Sequence, residues 1–156
     1  MIKLSFFIKE KSWSRRLKKI KYIVNKVLKQ KNELKFKKNI NYYLNIVLMN
    51  DKEMKKLNLK YKKINKTTDV LTFISDHKDQ RDKISKYCDI IISSEMVKLY
   101  SKKNKLDFYD HFSHLLVHSF LHINGFLHKK KDDFKKMQNI EIKILERIGL
   151  QNPYLY

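Results

Sequence analysis

The sequence predicts an α+β fold, a mixed β-sheet of about four strands packed with helices around a central helix that carries histidines. Three observations predict it. Apolar runs rich in β-branched and aromatic residues fall before Ser94, separated by amphipathic stretches, whereas beyond Ser94 the apolar residues recur at helical spacing. Gly125 and Gly149 are the only glycines and Pro153 the only proline, so no linker divides the chain. At 156 residues it has the length of one ordinary domain, taken as 1–156.

Ile2 to Ile8 reads as a first strand. Ser14 to Gln30 follows with Leu17, Ile20, Ile23, Val24, Val27 and Leu28 on one face and mainly lysine and arginine on the other, an amphipathic helix. Asn41 to Met49 alternates as a strand. Asn50 stands three residues before Glu53, a capping pair for a short helix to about Tyr61. Val70 to Ile74 and Cys88 to Ile92 are two further strands, and the near-continuous apolar character of the second places it in the sheet interior. The charged stretch between them, Asp76 to Lys86, reads as a loop. Three helices complete the chain: Ser94 to Lys103, Asp107 to Asn124, and Asp132 to Ile148, the last ending at Gly149.

Apolar residues make up 42% of the chain, which excludes a wholly disordered protein. Lys and Arg number 36 against 16 acidic residues, a formal charge of +20, and this favours polyanionic partners. Only Arg15, Arg16, Arg81 and Arg147 are arginines, and the accompanying excess of Lys, Asn and Ile is also what AT-rich coding DNA produces without selection for binding. Cys88 is the single cysteine, so neither an internal disulfide nor a thiolate-rich metal site is available. The N-terminal apolar stretch, Leu4 to Ile8, is shorter than a signal sequence core or a membrane span, and the chain reads as cytoplasmic with no membrane partner.

Chemistry concentrates on the penultimate helix. His111, His114, His118 and His122 are spaced three, four and four apart, and at about 100° per residue they share one stripe less than a quarter-turn wide. His118 and His122 stand one turn apart, which lets two imidazoles reach one ion. Gly125 can stop the helix in the left-handed conformation, after which the chain can fold back and bring up His128. The pattern His-x3-His-x5-His points to a zinc site with three nitrogen ligands and an open position, where bound water falls to a pKa of about 7. His111 and His114 are left as packing or ligand-supporting groups, since a tetrahedral ion has no room for five ligands and a water. The same register occurs in the metzincin proteases, but those need a glutamate after the first histidine as general base, and this chain has Ser119. Peptide hydrolysis is disfavoured accordingly.

The segment His118-Ser-Phe-Leu-His-Ile-Asn-Gly-Phe-Leu-His128 resembles the signature of the YbeY family, His-Gly-x-Leu-His-Leu-x-Gly-x-Asp-His. Leu57-Asn-Leu-Lys-Tyr-Lys62, Thr68-Asp-Val-Leu-Thr-Phe73, Cys88-Asp-Ile-Ile-Ile-Ser93 and the ending Gly149-Leu-Gln-Asn-Pro-Tyr154 are similar in order and spacing, so the likeness runs from about residue 40 to 154. It implies a single-strand-specific, zinc-dependent endoribonuclease of 16S ribosomal RNA 3′-end maturation and ribosome quality control. Its partners would be RNA and the small ribosomal subunit, with no DNA expected and the oligomeric state open. By the same resemblance His118, His122 and His128 are the ligands of one Zn2+ per chain. Lys62 stands where the family has an arginine, and is the candidate for stabilising charge that develops on phosphorus; its plain alternative is a solvated surface lysine. Lysine keeps the charge and gives up the bidentate fork of arginine. Ser119 replaces a glycine, and Leu127 an aspartate whose loss removes a possible partner of a ligand. Asp69, just before a strand, reads as a turn or capping residue outside the site. The runner-up function is a non-catalytic, ribosome-associated RNA-binding factor with a structural metal; a third reading is a hydrolase of other phosphate esters or of peptides.

Overall fold

A computed structural model of the chain describes residues 1–62, 70–127 and 129–155, with Lys62 described by its backbone alone. In chain order the elements are β1 (Ile2–Ile8), a 3-10 turn (Lys11–Arg16), α1 (Leu17–Leu28), β2 (Ile40–Met49), α2 (Asp51–Lys62), β3 (Val70–Lys78), β4 (Ile84–Ser93), α3 (Ser94–Lys103), α4 (Phe108–Ile123) and α5 (Lys131–Arg147). They fall into two compact units: Met1–Leu17 with Lys38–Tyr100, and Lys18–Lys37 with Ser101–Tyr156.

The first unit holds a four-stranded mixed sheet in the order β1-β2-β4-β3. β1, β2 and β4 run parallel and β3 antiparallel to β4. Strand alternation decides which face is buried: Tyr42, Leu44, Ile46 and Leu48 of β2 and Cys88, Ile90 and Ile92 of β4 are buried on one side. β4 lies between two neighbours, as its apolar run predicts. On the opposite face Met49, Leu71 and Ile91 form a cluster with Met54 of α2, against which Leu57 and Phe73 pack. The expected cap is present, with Glu53 N–H donating to Asn50 Oδ1 at 2.9 Å. Trp13, fully buried, donates its indole N–H to the Met49 carbonyl at 3.1 Å and fastens the 3-10 turn to the end of β2.

Two boundaries differ from the sequence expectation. The segment read as a loop, Asp76 to Lys86, is mostly strand: β3 and β4 pair from Val70↔Ile92 to Lys78↔Ile84, leaving only a short turn. Asp79 builds that turn by accepting the N–H groups of Arg81 and Lys83 at 2.8 and 2.9 Å, with Asp82 at φ 60°. Charged residues are tolerated because this end of β3 is exposed. The helix expected over Ser14 to Gln30 is instead a 3-10 turn followed by a shorter α1, whose apolar stripe Ile20, Ile23, Val24 and Val27 is buried as the periodicity requires.

The second unit is helical. Asp107 Oδ1 caps α4 by accepting the N–H groups of Tyr109 and Asp110 at 2.8 and 3.2 Å. Ten of the sixteen residues of α4 are buried, whereas His114, His118 and His122 are only half-buried, so the histidines form the open stripe of a buried helix. Loop residues tie to these helices: Asn124 donates to the Leu34 carbonyl at 2.8 Å, Phe36 meets Phe120 edge-on, and Arg147 pairs with Glu33 at 2.7 Å.

Candidate metal centre

The site is built on the end of α4, and Gly125 determines how that helix ends. Gly125 takes φ 92°, a backbone conformation that side-chain-bearing residues avoid. Its N–H reaches the His122 carbonyl at 3.1 Å and the Phe126 N–H reaches the Leu121 carbonyl at 3.0 Å, the paired bonds of a Schellman stop. The turn brings the Phe126 carbonyl back over the last helical turn, where it accepts from His122 Nδ1 at 2.9 Å.

His118 is oriented by a different oxygen. Glu141 of α5 accepts from His118 Nδ1 through Oε1 at 2.6 Å and from His114 Nε2 through Oε2 at 2.9 Å. The Tyr154 hydroxyl donates to the same Oε2. Glu141 is 1% exposed. Burial works to raise its carboxyl, but the hydrogen bonds from His114, His118 and Tyr154 prevail and bring it down to about 2, so it is a carboxylate at neutral pH.

These partners set the imidazole tautomers. A peptide carbonyl and a carboxylate can only accept, so the Nδ1 atoms of His118 and His122 carry the protons and their Nε2 atoms present lone pairs in the neutral rings. Those two Nε2 atoms stand 2.9 Å apart. Two lone pairs so close require a cation, either a shared proton or a metal ion. Two nitrogens bound to one tetrahedral zinc at about 2.0–2.1 Å stand roughly 3.3 Å apart, so a small opening of the pair accommodates the ion. The donor set fits zinc, with the carboxylate–histidine support common behind zinc ligands.

The expected site residues are thus partly brought together. His118 and His122 converge; His128 lies outside the described residues, as do Asp69 and the Lys62 side chain, while the backbone of Lys62 closes α2. Among the described residues no group of three or more His, Cys, Asp or Glu forms a metal cluster. His114 turns its Nε2 to Glu141 and is a supporting group, and His111 is 5% exposed within the same helix. Ser119 fits where the family signature has glycine because its fully buried hydroxyl donates to the Leu115 carbonyl at 2.9 Å. Leu127 is 52% exposed. Glu141 and Tyr154 are the functional candidates that pattern reading missed. The available signal for Glu141 is a carboxylate within the buried α5 set Met137, Ile144 and Leu145.

Comparison with known protein families matches residues 7–149 to Endoribonuclease YbeY. The chain belongs to the YbeY family. An Endoribonuclease YbeY from Ruthia magnifica subsp. Calyptogena magnifica is 38% identical over 106 residues, covering 68% of this chain and 72% of the relative. The YbeY relative from Colwellia psychrerythraea is 35% identical over 107 residues, covering 69% of this chain and 68% of its own. The solution structure of TM1509 from Thermotoga maritima aligns over the full length of both chains with a TM-score of 0.54 and 20% identity, a likeness of fold.

Proposed function

We propose that this YbeY-family chain is a zinc-dependent endoribonuclease in which His118, His122 and His128 hold one ion, and that residues 1–156 work as one catalytic domain. The observation that carries this reading is the approach of the His118 and His122 Nε2 atoms to 2.9 Å with both Nδ1 protons directed to fixed acceptors. The relatives' shared name, Endoribonuclease YbeY, supports RNA as the substrate. The charge of +20 supports a polyanionic one. Zinc bound here supplies Lewis acidity toward the scissile phosphodiester.

The chain's own residues do the rest. Glu141 and the Phe126 carbonyl hold the two imidazoles in the tautomer that presents lone pairs. Lys62, at the end of α2, is the proposed group that stabilises charge on phosphorus. The lysine-bearing face of α1 meets the RNA backbone. The substrate in this reading is single-stranded ribosomal RNA in the cytoplasm, cut in 16S 3′-end maturation and ribosome quality control on the small ribosomal subunit. No helix among the described residues is long and apolar enough to cross a membrane.

Zinc analysis followed by cleavage of single-stranded and duplex RNA tests the reading. One zinc per chain, scission of the single strand alone, loss with chelator and return with zinc are expected. RNA binding without scission by the zinc-loaded protein would leave a binding factor in place of an enzyme. Lys62→Ala should lower turnover and keep zinc stoichiometry; unchanged turnover removes Lys62 from the mechanism.

A further inference from the structure

Beyond α5 the chain makes a second stop of the kind seen after α4. Gly149 takes φ 88°, its N–H reaches the Glu146 carbonyl at 3.0 Å, and the Leu150 N–H reaches the Leu145 carbonyl at 2.8 Å. Pro153 restricts the backbone that follows. The Tyr154 N–H closes on Asn152 Oδ1 at 2.9 Å, a side-chain-built turn. This sequence of turns delivers the Tyr154 ring edge-on to His114 at 5.3 Å between centroids, with its hydroxyl on Glu141 Oε2 and 3.1 Å from His114 Nε2.

The hydroxyl does something that ring packing does not. Glu141 spends Oε1 on His118, and its terminal torsion is of the broad kind that does not hold a carboxylate plane by itself. With 1% exposure, there is little access for water to replace a lost donor at Oε2. Tyr154 and His114 pin Oε2 from two directions, and that leaves Oε1 aimed at the His118 Nδ1 proton. We propose that the C-terminal turn is a working part of the metal centre: Tyr154, acting through Glu141, is a positioning residue that orients the His118 ligand and strengthens its hold on the ion. This rests on the zinc reading above. It also gives His114 its place, since a ring nitrogen committed to Glu141 braces the ligand and does not bind metal itself.

The test compares the full-length chain with Tyr154→Phe, which keeps the ring and removes the hydroxyl, and with Asp107→Ala, which loosens the α4 cap elsewhere in the same helical unit. Zinc affinity is read by competition with a chromogenic chelator, and the imidazole Nδ1 proton of His118 by nitrogen-15 NMR on the metal-free protein. The expected result is about tenfold weaker zinc binding for Tyr154→Phe and wild-type affinity for Asp107→Ala. The His118 Nδ1 proton should shift or broaden only in Tyr154→Phe. Unchanged zinc affinity in Tyr154→Phe overturns the proposal, as does an equal loss in both variants, which would mark a general effect of stability. A wild-type chain that takes up no zinc defeats the zinc reading instead. An unmoved His118 proton in metal-free Tyr154→Phe overturns the coupling to His118 in either case.

Discussion

Each of the two converging imidazoles has its Nδ1 proton directed to an oxygen that can only accept, a carboxylate for His118 and a peptide carbonyl for His122. Because both acceptors are fixed, the cost of choosing a tautomer is met in folding and not at metal uptake. Cys88 is the opposite case, a group silenced by its surroundings. It is fully buried in β4, and burial pushes its thiol up to about 12. At pH 8 only about one thiol in ten thousand would then be ionised, against roughly a quarter for an ordinary cysteine. A chromogenic disulfide reagent should therefore leave Cys88 unmodified in the native protein and titrate one thiol in denaturant; rapid native reaction would contradict the burial. The His118/His122 pair was legible in the sequence because an i, i+4 spacing fixes side-chain proximity within one helix. Glu141 was not, because its partners lie 23 and 27 residues away, a distance that no local periodicity encodes.

At the scale of elements, the two helices of the site end by the same device. Gly125 and Gly149 sit at φ 92° and 88°, and a Cβ added at either meets nothing within 4 Å. Alanine would fit in space at both positions and be strained only in its backbone. Gly125→Ala and Gly149→Ala should each cost about 1–2 kcal/mol, read as a lower urea midpoint with an unchanged slope. A cost near zero would show that the stops are not held in this conformation. Helix ends of this type were readable from single residues, as was the Asn50 cap of α2, because their bonds close within a few positions. The β3–β4 pairing was not: Asp76, His77 and Lys78 carry no strand pattern and are extended because Ile84 to Lys86 lie beside them.

Across the whole molecule, the excess of 20 positive charges acts through the solvent and not through any one contact. Affinity for single-stranded RNA should fall linearly on a log–log plot against salt, with a slope of about −4 if some six phosphates are engaged. A flat response would separate the lysine excess from RNA binding and return it to the coding bias of the gene. The α+β class and the mixed sheet were legible from element order, because strands and helices leave different periodicities. The partition into two compact units was not, because it follows tertiary contacts rather than chain order. Each unit is assembled from two separated stretches, Lys18–Lys37 joining Ser101–Tyr156 in one and Met1–Leu17 joining Lys38–Tyr100 in the other. Dissection by expression is thereby constrained: a fragment starting at residue 101 would carry α4 and α5 yet lack the Leu34 carbonyl and the Glu33 carboxylate that Asn124 and Arg147 hold. Any fragment meant to keep α4 and α5 in this arrangement has to carry residues 18–37 as well, joined or supplied as a separate peptide.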